Sequence, residues 1–287
     1  MPTQPEGQRS SSTMVSRRFG LLTLAGILVF ALTMTFVPIL PPWLNYVARS
    51  WLLLVLGVLW WRARSSPRLT VFRPLLFAYF TAVVGLSLGF FLADSILGLF
   101  GLTTRTPAGI AVAKFSQASL IVIGILTMAK VSGENLASLY LRAGRLIFGL
   151  GVGLIGAAAC LALALQQPAV RALGTARLLS LTPWILLFVA SNGFMEELLF
   201  RGLFLGRYES LMGKWPAILS TALAFTLAHM QVSYASDTVV FLIVLLGLSI
   251  AWGWLMQRSG SLWGSVLFHA GADLIIILPI FGSYGVT

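Results

Sequence analysis

LTPWILLFVASNGFMEELLFRGLFL, residues 181–205, is long and apolar enough to cross a membrane, yet it contains two adjacent glutamates and an arginine. These residues are Glu196, Glu197 and Arg201. An ionisable group at bilayer depth costs at least about 2.5 kcal/mol. Several such groups in one apolar segment therefore predict a buried polar site in a membrane protein.

The composition of the whole chain agrees with a membrane protein. Of its 287 residues, 58% are hydrophobic and 9% are charged, whereas soluble domains carry about 25% charged residues. We predict an all-α fold, a polytopic transmembrane helix bundle with about 8–9 spans and a buried polar site among the last four helices. The candidate spans are 19–37, 45–61, 74–92, 108–128, 146–165, 181–205, 215–230, 239–256 and 261–281.

Four segments divide the chain in this interpretation. Residues 1–18 are rich in Pro, Ser, Thr and Arg, which predicts a disordered cytoplasmic N-terminus. Residues 19–175 hold transmembrane helices to which no motif assigns a role. Residues 181–281 contain the polar residues, and 282–287 form a short tail.

The net charge of +11 comes from basic residues that lie mostly between the apolar segments. An excess of Lys and Arg marks cytoplasmic loops, which places the N-terminus inside and predicts contact with membrane lipids. The sequence contains no basic cluster with interleaved aromatic residues, so nothing in it indicates nucleic-acid binding. The residues expected on the cytoplasmic side are Arg9, Arg17, Arg18, Arg62, Arg64, Arg68, Arg73, Lys130, Arg142, Arg145, Arg207, Lys214 and Arg258.

The only two histidines, His229 and His269, also lie in apolar sequence, and Asp273 follows the second by four residues. A helix rises about 1.5 Å per residue, so antiparallel packing brings Glu196, Glu197 and His229 to a depth of about 22 Å from their shared turn. His269 and Asp273 come to about 15–21 Å from the same face. This agreement in depth predicts one common site.

Spacing within each helix suggests specific pairs. Glu197 and Arg201 are separated by four residues with the acid first, which favours an ion pair, and His269 and Asp273 share a face. Arg201 could instead reach the headgroups from a helix end. Phe225, one turn before His229, could line one side of a cavity.

Two carboxylates and two imidazoles in a membrane cavity suit hydrolysis. A buried carboxylate can act as general base on water, while imidazoles orient the water and donate to the oxyanion. The same set could instead hold Zn²⁺, with Glu196, His229 and His269 as candidate ligands. The helical His-Glu-x-x-His motif is absent, so such a zinc site would be assembled across helices.

Three motifs in order resemble the CPBP family of intramembrane proteases, also called the Abi family, which includes the CAAX prenyl endopeptidases. They are Glu196-Glu197-Leu-Leu-Phe-Arg201, then Phe225-Thr-Leu-Ala-His229, then His269-Ala-Gly-Ala-Asp273. The resemblance covers about 181–281. It implies that the chain is an intramembrane endopeptidase acting on a membrane-associated or lipidated peptide.

Site roles follow from this resemblance. Glu196 would activate water with His229 as its partner, His269 would stabilise the oxyanion, and Glu197, Arg201 and Phe225 would orient the site. Asp273 stands where the prenyl endopeptidases carry Asn, and an ionised Asp cannot donate to an oxyanion. It could orient His269, stay protonated or bind metal.

Two other functions are compatible with buried charge. The chain could be a non-catalytic scaffold or immunity protein, which intact motifs disfavour, or a proton-coupled transporter, which the missing internal repeats disfavour. The family's eukaryotic substrates are prenylated Cys-a-a-X tails. Because no organelle signal is evident, we favour a multi-pass protein of a prokaryotic plasma membrane and an unprenylated substrate.

Three further features of the sequence indicate structural roles. Gly149 and Gly153 form a small-xxx-small pair that lets helices of one chain approach closely. Residues 133–145 suit either an interfacial amphipathic helix or an ordinary cytoplasmic loop. Cys160 lies in an apolar run, which predicts an inert, packed thiol.

Overall fold

A computed structural model describes residues 6–36, 38–234 and 237–284. These residues form helices and connecting loops with no strand, which confirms the all-α class. The helices are α1 Glu6–Phe30, α2 Pro42–Arg62, α3 Pro67–Thr70, α4 Arg73–Leu99, α5 Pro107–Val131, α6 Leu146–Gln166, α7 Pro168–Arg171, α8 Gly174–Glu197, α9 Leu205–Met212, α10 Lys214–Ala228, α11 Thr238–Ser259 and α12 Trp263–Ser283. π-helical turns at Ala31–Thr35 and Leu198–Gly202 continue α1 and α8.

Within the described residues, seven helices are long and apolar enough to cross a membrane. The sequence suggests about 8–9 spans, and a shorter apolar helix stands beside these seven. The expected spans 19–37 and 215–230 fall on a shorter apolar helix, Arg18–Met34, and on α10, which has 15 residues. A crossing needs about 20 residues, because the hydrocarbon core is about 30 Å thick.

Proline starts several of these helices. Pro42, Pro67, Pro107 and Pro168 each occupy the first helical position, where the missing N–H costs nothing and the fixed φ suits the helix. At α5 the Thr106 hydroxyl also accepts from the Gly109 N–H at 3.0 Å. Turn chemistry visible in the sequence thus sets these boundaries.

The N-terminal segment is partly helical. α1 begins at Glu6, inside the stretch 1–18 that the sequence suggests to be disordered, and residues 1–5 lie outside the described residues. Once a helix is nucleated, each added residue gains a hydrogen bond. The apolar segment from Phe19 can therefore extend its helix toward the N-terminus.

The chain divides into two compact units. The first unit contains Met1–Phe80 and Leu203–Gly253, and the second contains Thr81–Gly202 and Trp254–Thr287. The expected core 181–281 contributes to both units. The motif around Glu196 and the motif around His269 belong to the second unit, whereas the motif around His229 belongs to the first.

Glycines bring α6 and α12 into close contact in the second unit. A Cβ on Gly153 would lie 2.4 Å from the Gly264 carbonyl oxygen, and one on Gly271 would lie 2.3 Å from Ala157 Cα. The Gly149/Gly153 pair therefore serves packing within the chain, as the sequence predicts. Because Gly271 lies between His269 and Asp273, this contact also fixes the helix that carries them.

α8 packs on the other side of α12. A Cβ on Gly193 would lie 3.1 Å from the Ala270 backbone nitrogen, and Phe194 stacks on Trp263 with ring centroids 5.8 Å apart. Farther along both helices, a cluster of buried apolar residues fills the space around Ile185 and Phe281. α12 is thus held between α6 and α8.

The second unit also contains a loop and a proline inside α12. Residues 133–145 form a loop with one 3₁₀ turn, Leu136–Leu139, rather than an amphipathic helix. Pro279 inside α12 cannot donate to the Ile275 carbonyl, and the Gln167 side chain donates to that oxygen at 2.7 Å instead. Cys160 is a free, buried thiol, as expected.

In the first unit, hydroxyl groups join α1 to the helices that follow the first motif. The phenol oxygens of Tyr79 and Tyr208 are 2.7 Å apart, and they lie 3.0 and 3.2 Å from the Leu22 carbonyl oxygen, which accepts from one of them. The hydroxyls of Thr23 and Ser220 are 2.6 Å apart. Polar contacts between apolar helices are typical of membrane bundles.

Candidate active site

The last turn of α8 and the π-helical turn after it carry the first motif. Glu197 Oε1 accepts from Arg201 Nη1 at 2.8 Å, and neither side chain is exposed. The structure therefore has the ion pair that the spacing predicts, and Arg201 is buried instead of reaching the surface. π-helical turns occur frequently at functional sites, and no feature of the sequence signals this one.

His269 on α12 lies among three carboxylates. Its Nδ1 is 2.8 Å from Glu197 Oε1, while its Nε2 is 3.4 Å from Glu196 Oε2 and 3.7 Å from Asp273 Oδ1. Ionised carboxylates only accept hydrogen bonds, so Nδ1 donates to Glu197. The Nε2 distances exceed the usual hydrogen-bond range, which leaves this nitrogen facing the two remaining acids.

Asp273 has a further partner that sequence reasoning missed. Asn192, on α8, donates from Nδ2 to Asp273 Oδ2 at 2.9 Å. Its position four residues before Glu196, and hence on the same helix face, is the one signal that could have suggested it. Since a neutral amide is not conspicuous in an apolar helix, that signal is weak.

The first unit holds the second motif. His229 caps the C-terminus of α10, and its Nδ1 is 2.8 Å from the Phe225 carbonyl oxygen. A carbonyl only accepts, so Nδ1 carries the proton and Nε2 carries the lone pair in the neutral ring. The Phe225 ring lies 4.5 Å from the imidazole and packs edge-on against Trp252.

The structure thus brings together five predicted residues in the second unit: Glu196, Glu197, Arg201, His269 and Asp273. Phe225 and His229 contact each other in the first unit. In the second-unit cluster, every acid has a basic or amide neighbour. A network of this kind can hold and transfer protons.

The zinc interpretation requires side chains that can surround a metal ion. Among the residues that the structure describes, no group of three or more His, Cys, Asp or Glu side chains is arranged to hold one. The described residues do not fit zinc, and we derive no step through it.

Comparison with known proteins identifies one family. Residues 178–275 match the family described as Type II CAAX prenyl endopeptidase Rce1-like, about a third of the chain. This match contains all three motifs and confirms the resemblance drawn from them. No curated protein and no solved structure matches the chain.

Proposed function

We propose, from the membership of residues 178–275 in the type II CAAX prenyl endopeptidase family, that this membrane protein is an intramembrane endopeptidase using a carboxylate-activated water. Its substrate is a membrane-associated or lipidated peptide. The observation that carries the proposal is the buried imidazole of His269, which faces Glu196 on one nitrogen and Glu197 on the other.

Glu196 is the general base in this mechanism. Its carboxylate takes a proton from water as the water oxygen attacks the peptide carbonyl carbon, and the proton then passes to the leaving amine as the C–N bond breaks. General base catalysis of this kind contributes about 10²–10⁴-fold in rate. Glu197 Oε1 accepts from two donors, Arg201 and His269, which suits a positioning role, and the family resemblance assigns the base to Glu196.

As an imidazolium, which carries a proton on each ring nitrogen, His269 donates from Nε2 to the oxyanion of the tetrahedral intermediate. Because Glu197 accepts from Nδ1, the ring orientation is fixed and Nε2 is the nitrogen that faces the reacting groups. A donor held in place before the reaction stabilises developing charge without reorganisation. Arg201 balances the charge of Glu197 and keeps that carboxylate in position.

From the family resemblance, we propose that His229 also takes part in activating the water molecule. This role rests on the family resemblance and on its ring, whose Nδ1 is committed to the Phe225 carbonyl. The neutral ring then carries its lone pair on Nε2, the nitrogen type that can accept a proton. We also propose a cytoplasmic N-terminus, from the distribution of basic residues. The prokaryotic plasma membrane stays a proposal that rests on the lack of an evident organelle signal.

The test is cleavage of short membrane-tethered peptides, with and without a prenylated cysteine, by purified protein in lipid. Glu196→Gln keeps the shape of the side chain but not the base, and we expect it to lose at least about 100-fold in turnover. Glu134→Gln is the matched control, since Glu134 lies in the 133–145 loop and bonds Ser138. Wild-type turnover by Glu196→Gln would refute the mechanism.

A further inference from the structure

Asn192 links the two helices of the second-unit cluster. It is 6% exposed, and its Nδ2 donates to Asp273 Oδ2 at 2.9 Å. The other oxygen of the same carboxylate, Oδ1, faces His269 Nε2 at 3.7 Å. The amide on α8 therefore holds one oxygen of Asp273 while the second points to the imidazole on α12.

The Asn192 amide can serve Asp273 in either of its protonation states. Asn192 Oδ1 is buried, and within the described part of the chain it has no hydrogen-bond partner. An amide has a donor end and an acceptor end, so turning it over lets Oδ1 accept from a protonated Asp273. The contact then survives a proton transfer, which avoids leaving a buried carboxyl group without a partner.

We propose that Asn192 is a positioning residue for the reaction, which keeps the Asp273 carboxyl group directed at His269 Nε2. Its catalytic consequence rests on the proposed function. Asp273 is an acceptor beside the oxyanion donor, so it fixes the orientation of that N–H rather than donating to the oxyanion itself. The amide at 192 is what keeps the acceptor in place.

Histidine NMR tests the contact without any substrate. The chain contains two histidines, so selective ¹⁵N-histidine labelling gives two sets of ring signals, which His229→Gln assigns. We expect Asn192→Leu to shift the His269 ring nitrogens and leave those of His229 in place. Ser191→Ala is the control, because the Ser191 hydroxyl bonds carbonyls of its own helix. Unchanged His269 signals in Asn192→Leu would overturn the proposal.

A side-chain exchange separates positioning from simple helix packing. Asn192→Asp sets two carboxylates against each other, and adding Asp273→Asn restores an amide–carboxylate pair with the charge on α8. We expect the double variant to recover thermal stability while its His269 signals and cleavage stay altered. If the double variant recovers its thermal stability, its His269 signals and its cleavage activity, the contact is only structural. If Asn192→Leu does not fold, Asn192→Ser takes its place, because serine is too short to keep the hydrogen bond to Asp273.

Turnover measures the catalytic consequence. We expect Asn192→Leu to lower kcat about 10- to 100-fold with little change in KM, the effect of removing a hydrogen bond to a charged group. Normal kcat with shifted His269 signals would overturn the catalytic role. If Glu196→Gln still cleaves, the proposed function fails, yet the NMR result remains interpretable because it requires no turnover.

Discussion

Glu197 Oε1 lies 2.8 Å from His269 Nδ1, and it accepts from Arg201 at the same distance. One oxygen thus receives two donors from two different elements, α12 and the π-helical turn. Because all three side chains are buried, none can exchange its partner for water. The orientation of the imidazole therefore depends on the charge of Glu197 and, through it, on Arg201.

Glu197→Gln is expected to damage both folding and catalysis. Removing one member of a buried ion pair costs about 3–5 kcal/mol, because the other charge is left uncompensated. We expect a lower unfolding temperature in detergent and a lower kcat for peptide cleavage.

The double variant Glu197→Gln/Arg201→Met separates the two effects. The second substitution removes the buried charge that Glu197 balances, so much of the stability should return, whereas the activity should not. Restored turnover in the double variant would show that Glu197 does not orient His269.

Gly153→Ala tests the packing that positions α12. The added Cβ would lie 2.4 Å from the Gly264 backbone oxygen, so α6 and α12 must separate. We expect a loss of about 1–3 kcal/mol in unfolding free energy together with reduced cleavage. Gly151→Ala on the same helix is the control, since nothing lies within 4 Å of its Cβ. It should stay within about 1 kcal/mol of wild type, and equal losses in both variants would contradict the packing argument.

Much of the second-unit cluster is visible in the sequence because charge inside apolar sequence is conspicuous. The four-residue spacing within one helix predicts both the Glu197–Arg201 ion pair and the shared face of His269 and Asp273, and the structure has both. Periodicity works here because each pair lies on a single helical segment.

Contacts between distant segments are harder to predict. Asn192 and Asp273 are 81 residues apart in the chain, and no local pattern couples them. The number of long apolar helices also differs from the number expected from the sequence. Hydropathy identifies apolar residues but not the residue at which a helix ends, and α10 ends after 15 residues. The Gln167 contact with α12 likewise depends on tertiary packing.

Gln167→Leu is expected to destabilise α12 near its C-terminus. The variant leaves the partly buried Ile275 carbonyl without the donor that replaces the missing Pro279 N–H. A fully buried unsatisfied carbonyl costs about 1–3 kcal/mol, so we expect a loss at the lower end of that range. Restoring an N–H with Pro279→Ala should remove most of that cost, so the two substitutions are expected to be non-additive in unfolding free energy. Gln166→Leu is the control, because this exposed side chain bonds Arg171 instead. Purely additive effects would show that Gln167 does not compensate for the proline.

Removal of zinc is expected to leave cleavage intact. At His269, Nδ1 is bonded to Glu197, and Nε2 faces Glu196 and Asp273 at 3.4 and 3.7 Å. Among the described residues no group of three or more His, Cys, Asp or Glu side chains is arranged to hold a metal ion, and the proposed base acts on water directly. The measurement is peptide turnover after exhaustive chelation, with metal content determined on the same sample and a zinc-dependent peptidase treated in parallel. Turnover that disappears on chelation and returns with added Zn²⁺ would show that the site rearranges around a metal, and Glu196 would then act as its ligand or on metal-bound water rather than on free water.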